Sequence, residues 1–320
     1  MKKKLIILMV VAVLVAVAWK PVQFLIRVAR YENPFVSETQ EDTTVTDVEA
    51  TQAGDGRSVS LLSAFYGIDD GLPRILGRLI CSSAPGSDGM PVIFSHEIDP
   101  ASMQAGDFLV TTASGRKTVP ACVTLAPADD PGEHRTVLLV GDLGSAADQP
   151  VRVEMVGNIL TADGTANFKG QAIGVTPLED GPTMVLGQEL PRDAWRTGHP
   201  ATPLPFGGGS GAAEGSKTVV RAVWAGGVTK PGREEIGEDV RKAYRVTMRL
   251  ANGETREVVP FAIADLGDGD NNHLLCLDVE GTPIAIELPE KMVVDPNEDW
   301  NPRTRVTVMP LLKDTERKGK

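Results

Sequence analysis

Two short stretches toward the C-terminal end carry residue types that can do chemistry. Asp265-Leu266-Gly267-Asp268-Gly269-Asp270-Asn271-Asn272-His273 places carboxylates, amides and an imidazole within nine residues. In the second stretch Asp295, Asn297, Asp299 and Asn301 put an oxygen donor at every second position. A calcium ion takes about six to eight oxygens, and alternate side chains of a loop turn inward to supply them. Asp265, Asp268, Asp270, Asn272, Asp295, Asn297, Asp299 and Asn301 are therefore the candidate calcium ligands. Neither stretch is an EF-hand: Trp300 stands at the sixth loop position of the second, and no terminal glutamate follows at the right distance. The competing reading is turn chemistry, since Asp, Asn and Gly make β-turns through side-chain-to-backbone bonds and tolerance of left-handed backbone.

Catalytic motifs are otherwise absent. The histidines are His96, His134, His199 and His273, and none belongs to a His-Glu-x-x-His zinc motif. There is no Gly-x-Ser-x-Gly elbow, and Gly207 to Gly211 lacks the Lys-Thr of a phosphate loop. His96 and Glu97 are adjacent and would point to opposite faces of a strand. His273 beside Asp270 is the other acid-base pairing, so a metal-dependent hydrolase at the Asp265–His273 loop is the alternative to a non-catalytic protein. Trp195, Trp224 and Trp300 make either a carbohydrate-stacking surface or, more ordinarily, core and rim residues. Cys81 and Cys122 can form one disulfide in an oxidising compartment, leaving Cys276 alone. The plain alternative is three buried thiols packing as small hydrophobes.

The elements that must position these groups read as β. After the first 30 residues the chain is long enough for two ordinary domains. With 33 Gly and 23 Pro among short Val- and Thr-rich runs, its composition favours strands and turns. Expected strands begin at Leu61, Ile75, Met90, Phe108, Val119, Thr136 and Val151, and Val151 to Val156 alternates apolar with charged residues. Pro191, Pro200, Pro203, Pro205 and the Gly207–Gly211 run predict a linker over 191–216. Beyond it, Tyr244–Leu250, Glu257–Ala264, His273–Val279, Pro283–Leu288 and Arg305–Met309 read as strands, with a short charged helix at Glu234–Arg241. The expectation is an all-β chain of two β-sandwich-like domains, 59–190 and 217–312, ending in a charged tail at 313–320.

At the N-terminus Lys2-Lys3-Lys4 precedes an apolar run from Leu5 to Trp19, the pattern of an export signal. About fifteen residues reach about 22 Å, short of a bilayer core about 30 Å thick. Ala16-Val17-Ala18 suits a signal peptidase. Against cleavage, Phe24-Leu25-Ile26 with Arg27 and Arg30 would prolong bilayer contact, so 1–30 is a signal peptide or a membrane anchor. Residues 31–58 are polar with few large apolar groups and read as a flexible stalk. The formal net charge of -11 argues against a nucleic-acid-binding surface, which needs clustered Lys and Arg. The expected location is periplasmic, cell-surface or extracellular, with the membrane, an envelope component or another protein as partner.

From Val92-Ile93-Phe94-Ser95 through Glu97-Ile98-Asp99-Pro100 and Asp107-Phe108 to Gly157-Asn158 and Asp163-Gly164, the order of features resembles the bacterial immunoglobulin-like domains of surface-layer proteins. The likeness covers about residues 92–160 and departs in the long segment Pro127 to Arg135 and in the cysteine pair. It implies a β-sandwich with an adhesive, spacer or display role, and brings no catalytic residues. The second half, around Ala225 to Gly232, resembles exported proteins of unknown function. A non-catalytic envelope module is thus the expected function.

Overall fold

The computed structural model describes residues 33–73, 81–202 and 208–311. The expected export leader, the strand expected at 75–81 apart from Cys81, and the charged tail lie outside the described residues. Among the described residues no helix is long and apolar enough to cross a membrane.

Short runs of β-branched and aromatic residues form the strands of a first unit: β1 (Val36–Ser37), β2 (Leu61–Ala64), β3 (Asp88–Phe94), β4 (Phe108–Thr112), β5 (Lys117–Thr118), β6 (Cys122–Thr124), β7 (Thr136–Gly141), β8 (Pro150–Met155) and β9 (Ala172–Gly174). They make a five-stranded sheet in the order β1-β6-β7-β3-β2 and a four-stranded sheet in the order β5-β4-β8-β9. Phe94, Val123, Val137 and Leu139 of the first share one core with Phe108, Val110, Val153 and Met155 of the second. Phe94 stands edge-to-face on Phe108 (6.3 Å) and Phe168 (4.8 Å), contacts of about 0.5–1.5 kcal/mol each beyond burial. In β8, Val153 and Met155 point inward as the alternation predicts. Val151 stays 46 % exposed, because the register shift beside Thr112 leaves it without a partner on β4.

Cys81 and Cys122 are disulfide-bonded across a sequence separation of 41 residues. Closing a loop of that size removes unfolded-state entropy, and Cys122→Ser is expected to cost about 2–4 kcal/mol. Urea titration of wild type and variant checks this, and coincident midpoints would contradict it.

Residues 33–58 are not a free stalk but lie along the first unit. Val36 and Ser37 pair with Thr124 and Val123. The Asp42 carboxylate accepts from the Asn158 backbone N–H at 3.0 Å and its side-chain amide at 2.6 Å, and Asp55 faces His96 at 3.3 Å. Composition foretold little apolar burial here, and that holds except at residues such as Ala53. The segment is fixed by polar bonds to strands and turns of the first unit, each worth about 1 kcal/mol net, which composition does not reveal.

The second unit begins earlier than the Pro/Gly run suggests. It holds β10 (Met184–Glu189), β11 (Thr218–Trp224), α1 (Glu238–Ala243), β12 (Arg245–Arg249), β13 (Thr255–Val258), β14 (Ala262–Ala264), β15 (Asn272–Leu277), β16 (Thr282–Leu288) and β17 (Thr304–Met309). These strands form one eight-stranded sheet, β13-β12-β16-β17-β10-β11-β15-β14, in place of two facing sheets. Because β10 pairs with β11 and β17, the boundary falls between β9 and β10 rather than at 191–216. The described part of that expected linker is packed: Trp195 and Ala212 are buried with Leu190, Val219, Leu274 and Cys276, and the Trp195 indole donates to the Leu190 carbonyl. Pro and Gly mark turns there, not a separation.

Glu257 to Ala264 is also not one strand. Pro260 has no N–H for a ladder and splits it into β13 and β14, which sit at opposite edges of the sheet. Three connecting residues span at most about 14 Å, so the sheet must curl until its edges approach. The curl brings Val220, Ala222 and Leu275 into one core with Val246, Met248 and Ile286, capped by Ile236 and by Val240 of α1.

Candidate metal centre between the two units

Strand β11 reads Thr-Val-Val-Arg-Ala-Val-Trp, and every residue of it is buried. Side chains alternate across a strand, so Val220, Ala222 and Trp224 enter the curled core while Val219, Arg221 and Val223 face the other way. Val223 meets Ile93 of the first unit and Leu186 in an apolar seam that Leu62, Val185 and Met309 border. Arg221, two positions away, meets the Pro127–Arg135 segment. Its guanidinium donates to the Glu133 carboxylate at 3.0 Å and to the Gly132 carbonyl, with 3 % and 2 % of the two ionic side chains exposed. Gly132 has φ +95°, and a Cβ there would meet the guanidinium at 3.3 Å, so this turn favours glycine on both counts. Arg135 crosses the same seam to the Gln188 side chain at 3.3 Å.

The first acidic loop closes onto Glu133 from the second unit. Asp265 adopts φ +64°, and its N–H donates to the Ser210 carbonyl at 2.8 Å and hydroxyl at 3.1 Å. That bond ties the loop to the Gly-rich run, so the glycines line a site instead of linking domains. Carboxylate oxygens of Asp130, Glu133 and Asp265 lie within 4.8 Å of one another. Gly209 donates its N–H to Asp130, and Arg196 pairs with the same carboxylate oxygen.

Asp268 lies beside this group, against Gly209. A Cβ on residue 209 would lie 2.5 Å from Asp265 Oδ1 and 2.6 Å from Asp268 Oδ2. Gly209→Ala is accordingly expected to cost about 1–3 kcal/mol by overpacking. Gly174→Ala, where the nearest atom is 3.9 Å away, should be near neutral. Equal midpoints for the two variants in urea unfolding would contradict the crowding.

Burial and like charge act together here. Asp265 is pushed up to about 10, chiefly by desolvation and then by the facing Glu133 carboxylate. Desolvation likewise raises Asp268 to about 6 and moves Asp270 upward. Glu133 Oε2, Asp265 Oδ2 and Asp268 Oδ2 are buried without a hydrogen-bond partner. An oxygen-only donor set with unsatisfied buried carboxylates suits a hard divalent cation rather than zinc or copper.

Of the residues singled out from sequence, Asp265 belongs to this cluster and Asp268 lies beside it at Gly209. Asp270 instead accepts from the Asn272 backbone at 2.8 Å and its amide at 2.6 Å in a local turn, while Asn272 Oδ1 stays buried without a partner. The 295–301 stretch is largely tied up in local bonds, with Asp295 Oδ2 left buried and unpartnered. Asp295 Oδ1 accepts from the Asn297 and Asp299 N–H groups at 2.9 Å each. Asn297 donates its amide to the Gly67 carbonyl, and Asn301 bonds the Met292 and Val293 N–H groups and the Pro289 and Pro302 carbonyls. Asp270, Asn271 and Asn297 do line one cavity of 390 Å³ between the units, with Phe65 and Leu72. A further carboxylate group, Asp69, Asp70 and Asp88, is satisfied: Asp88 accepts from the N–H groups of Asp70, Leu143 and Gly144.

Asp130, Glu133 and Arg221 were not legible as site residues. The available signals were a lone arginine in an otherwise apolar strand, and an acidic cluster in the segment where the immunoglobulin-like resemblance departs. The tryptophans divide: Trp224 is wholly buried, Trp195 is 6 % exposed and Trp300 is 44 % exposed, so they form no joint surface.

No protein-family model matches this chain. No curated protein matches it either.

Proposed function

We propose that the chain is a non-catalytic module of the cell envelope, an immunoglobulin-like sandwich joined rigidly to a curled β unit, acting as a spacer or display element. The observation that carries this reading is the seam, where an apolar patch and the buried Arg221–Glu133 pair join the two units. A spacer needs that stiffness. Support for the immunoglobulin-like part comes from strand order. With β2 to β9 as A, B, C, C′, D, E, F and G, one sheet runs D-E-B-A and the other C′-C-F-G, the arrangement of that family. The Leu5–Trp19 leader supports export, with the membrane as partner if it stays uncleaved.

The surroundings of His273 favour the non-catalytic reading over a hydrolase at this loop. His273 is 3 % exposed, and its Nδ1 accepts from the Trp224 indole at 3.3 Å and lies in hydrogen-bond contact with the Tyr244 hydroxyl at 3.0 Å. Desolvation lowers it to about 3, so it sits neutral in the core. The sign follows: the unfolded chain takes up a proton near pH 6.5 that the folded chain refuses until about 3. Wild type should therefore lose stability relative to His273→Gln as pH falls through that window, with no change in the difference above pH 7. Urea titrations across the range check it, and a constant difference would contradict a buried neutral imidazole.

Calorimetry tests the rigid module. The full chain should unfold in one transition with equal calorimetric and van't Hoff enthalpies. Two resolved transitions would overturn the single body, and turnover of any ester, peptide or glycoside probe would overturn the non-catalytic reading.

A further inference from the structure

The least explained feature of the seam is its charge. Asp130, Glu133, Asp265 and Asp268 set four carboxylates against the guanidiniums of Arg221 and Arg196. Glu133, Asp265 and Asp268 are each at least nine-tenths buried, at 2 %, 3 % and 5 % exposure. Each has one oxygen with no donor. A buried carboxylate without a partner must either take a proton or find a cation.

We propose that Asp130, Glu133, Asp265 and Asp268 bind a calcium ion that staples the two units together. The donors are all oxygen, which selects a hard cation. They come from two separate turns and a glycine-lined approach, an irregular set that suits calcium's variable coordination better than the near-octahedral demand of magnesium. Two ligands belong to each unit, Asp130 and Glu133 to the first, Asp265 and Asp268 to the second, so the ion is bound only when the units are docked. Arg221 holds Glu133 by one oxygen and leaves Oε2 for the ion. Gly209 gives the space, because any side chain there would occupy the position between Asp265 and Asp268. Binding to the folded state alone raises stability by mass action. This inference stands apart from the envelope role, which a metal-free seam would leave intact.

The test uses calcium itself on the full chain. Protein is unfolded in guanidinium with chelator, refolded in chelator-treated buffer, and titrated with calcium or magnesium while melting is followed. At saturation calcium should raise Tm by about 5–10 °C and be retained at one equivalent by elemental analysis, with a smaller response to magnesium. Asp265→Asn and Asp268→Asn should each abolish the shift, and Asp295→Asn should keep it. Both amides are isosteric with a protonated carboxyl, so failure of one variant to fold leaves the other to decide. No retained calcium and no shift in wild type would overturn the proposal, leaving carboxyls that share protons. An undiminished shift in Asp265→Asn or Asp268→Asn would overturn it too, by placing calcium elsewhere.

Discussion

Arg221→Met is expected to destabilise the chain by about 3–5 kcal/mol, among the largest losses any single change should cause. The guanidinium, 3 % exposed, pairs with the Glu133 carboxylate and also satisfies the Gly132 carbonyl. Methionine fills the space but leaves Glu133 buried without its partner and beside Asp265. Glu133→Gln should cost less, since the amide still accepts from Arg221 and one negative charge leaves the cluster. The double change Arg221→Met with Glu133→Gln should recover part of the loss, because the uncompensated charge is gone. Urea unfolding of the three variants checks the order. A single Arg221→Met loss below about 1 kcal/mol, the level of exposed pairs, would show that the pair is solvated in solution.

Trp224→Ala should cost a similar amount, about 3–5 kcal/mol, for a different reason. The indole is wholly buried at the centre of the curled core, and its N–H donates to Tyr244 at 3.1 Å and His273 at 3.3 Å. Alanine leaves a large cavity and removes a donor shared by two buried polar groups. Trp224→Phe keeps most of the volume, so its cost should fall to about 1–2 kcal/mol, the share of the hydrogen bonds. Near-ultraviolet circular dichroism reports the core directly. Thermal melting then ranks the two, and equal losses would mean that volume contributes nothing.

Strand content was readable wherever side chains alternate. Phe108 to Thr112 and Thr136 to Val140 carry enough β-branched residues to announce themselves, and both are strands. Thr218 to Trp224 was less readable, although it is the strand that joins both cores to the seam. Its residues are buried on both faces, so the alternation that betrays a half-exposed strand is missing. Sheet partners were not readable at all. The Pro/Gly run 191–216 and the polar segment 33–58 both read as unstructured by composition, yet the described part of the first is packed and the second is held by polar bonds, because docking surfaces contributed by distant strands decide their fate.

The same division holds for the acidic loop that first drew attention. Its residue types alone established that Asp265 and Asp268 are oxygen donors in a turn rich in glycine. Their chemistry came from elsewhere in the fold. Only tertiary structure brought Glu133 and Asp130 against them, turned Asp270 to Asn272 and sealed His273 beside Tyr244. The reason is physical: a side chain's donor atoms are local properties, whereas its dielectric surroundings and its charged neighbours depend on chain segments far apart in sequence. Those segments meet only when the two units dock along β11.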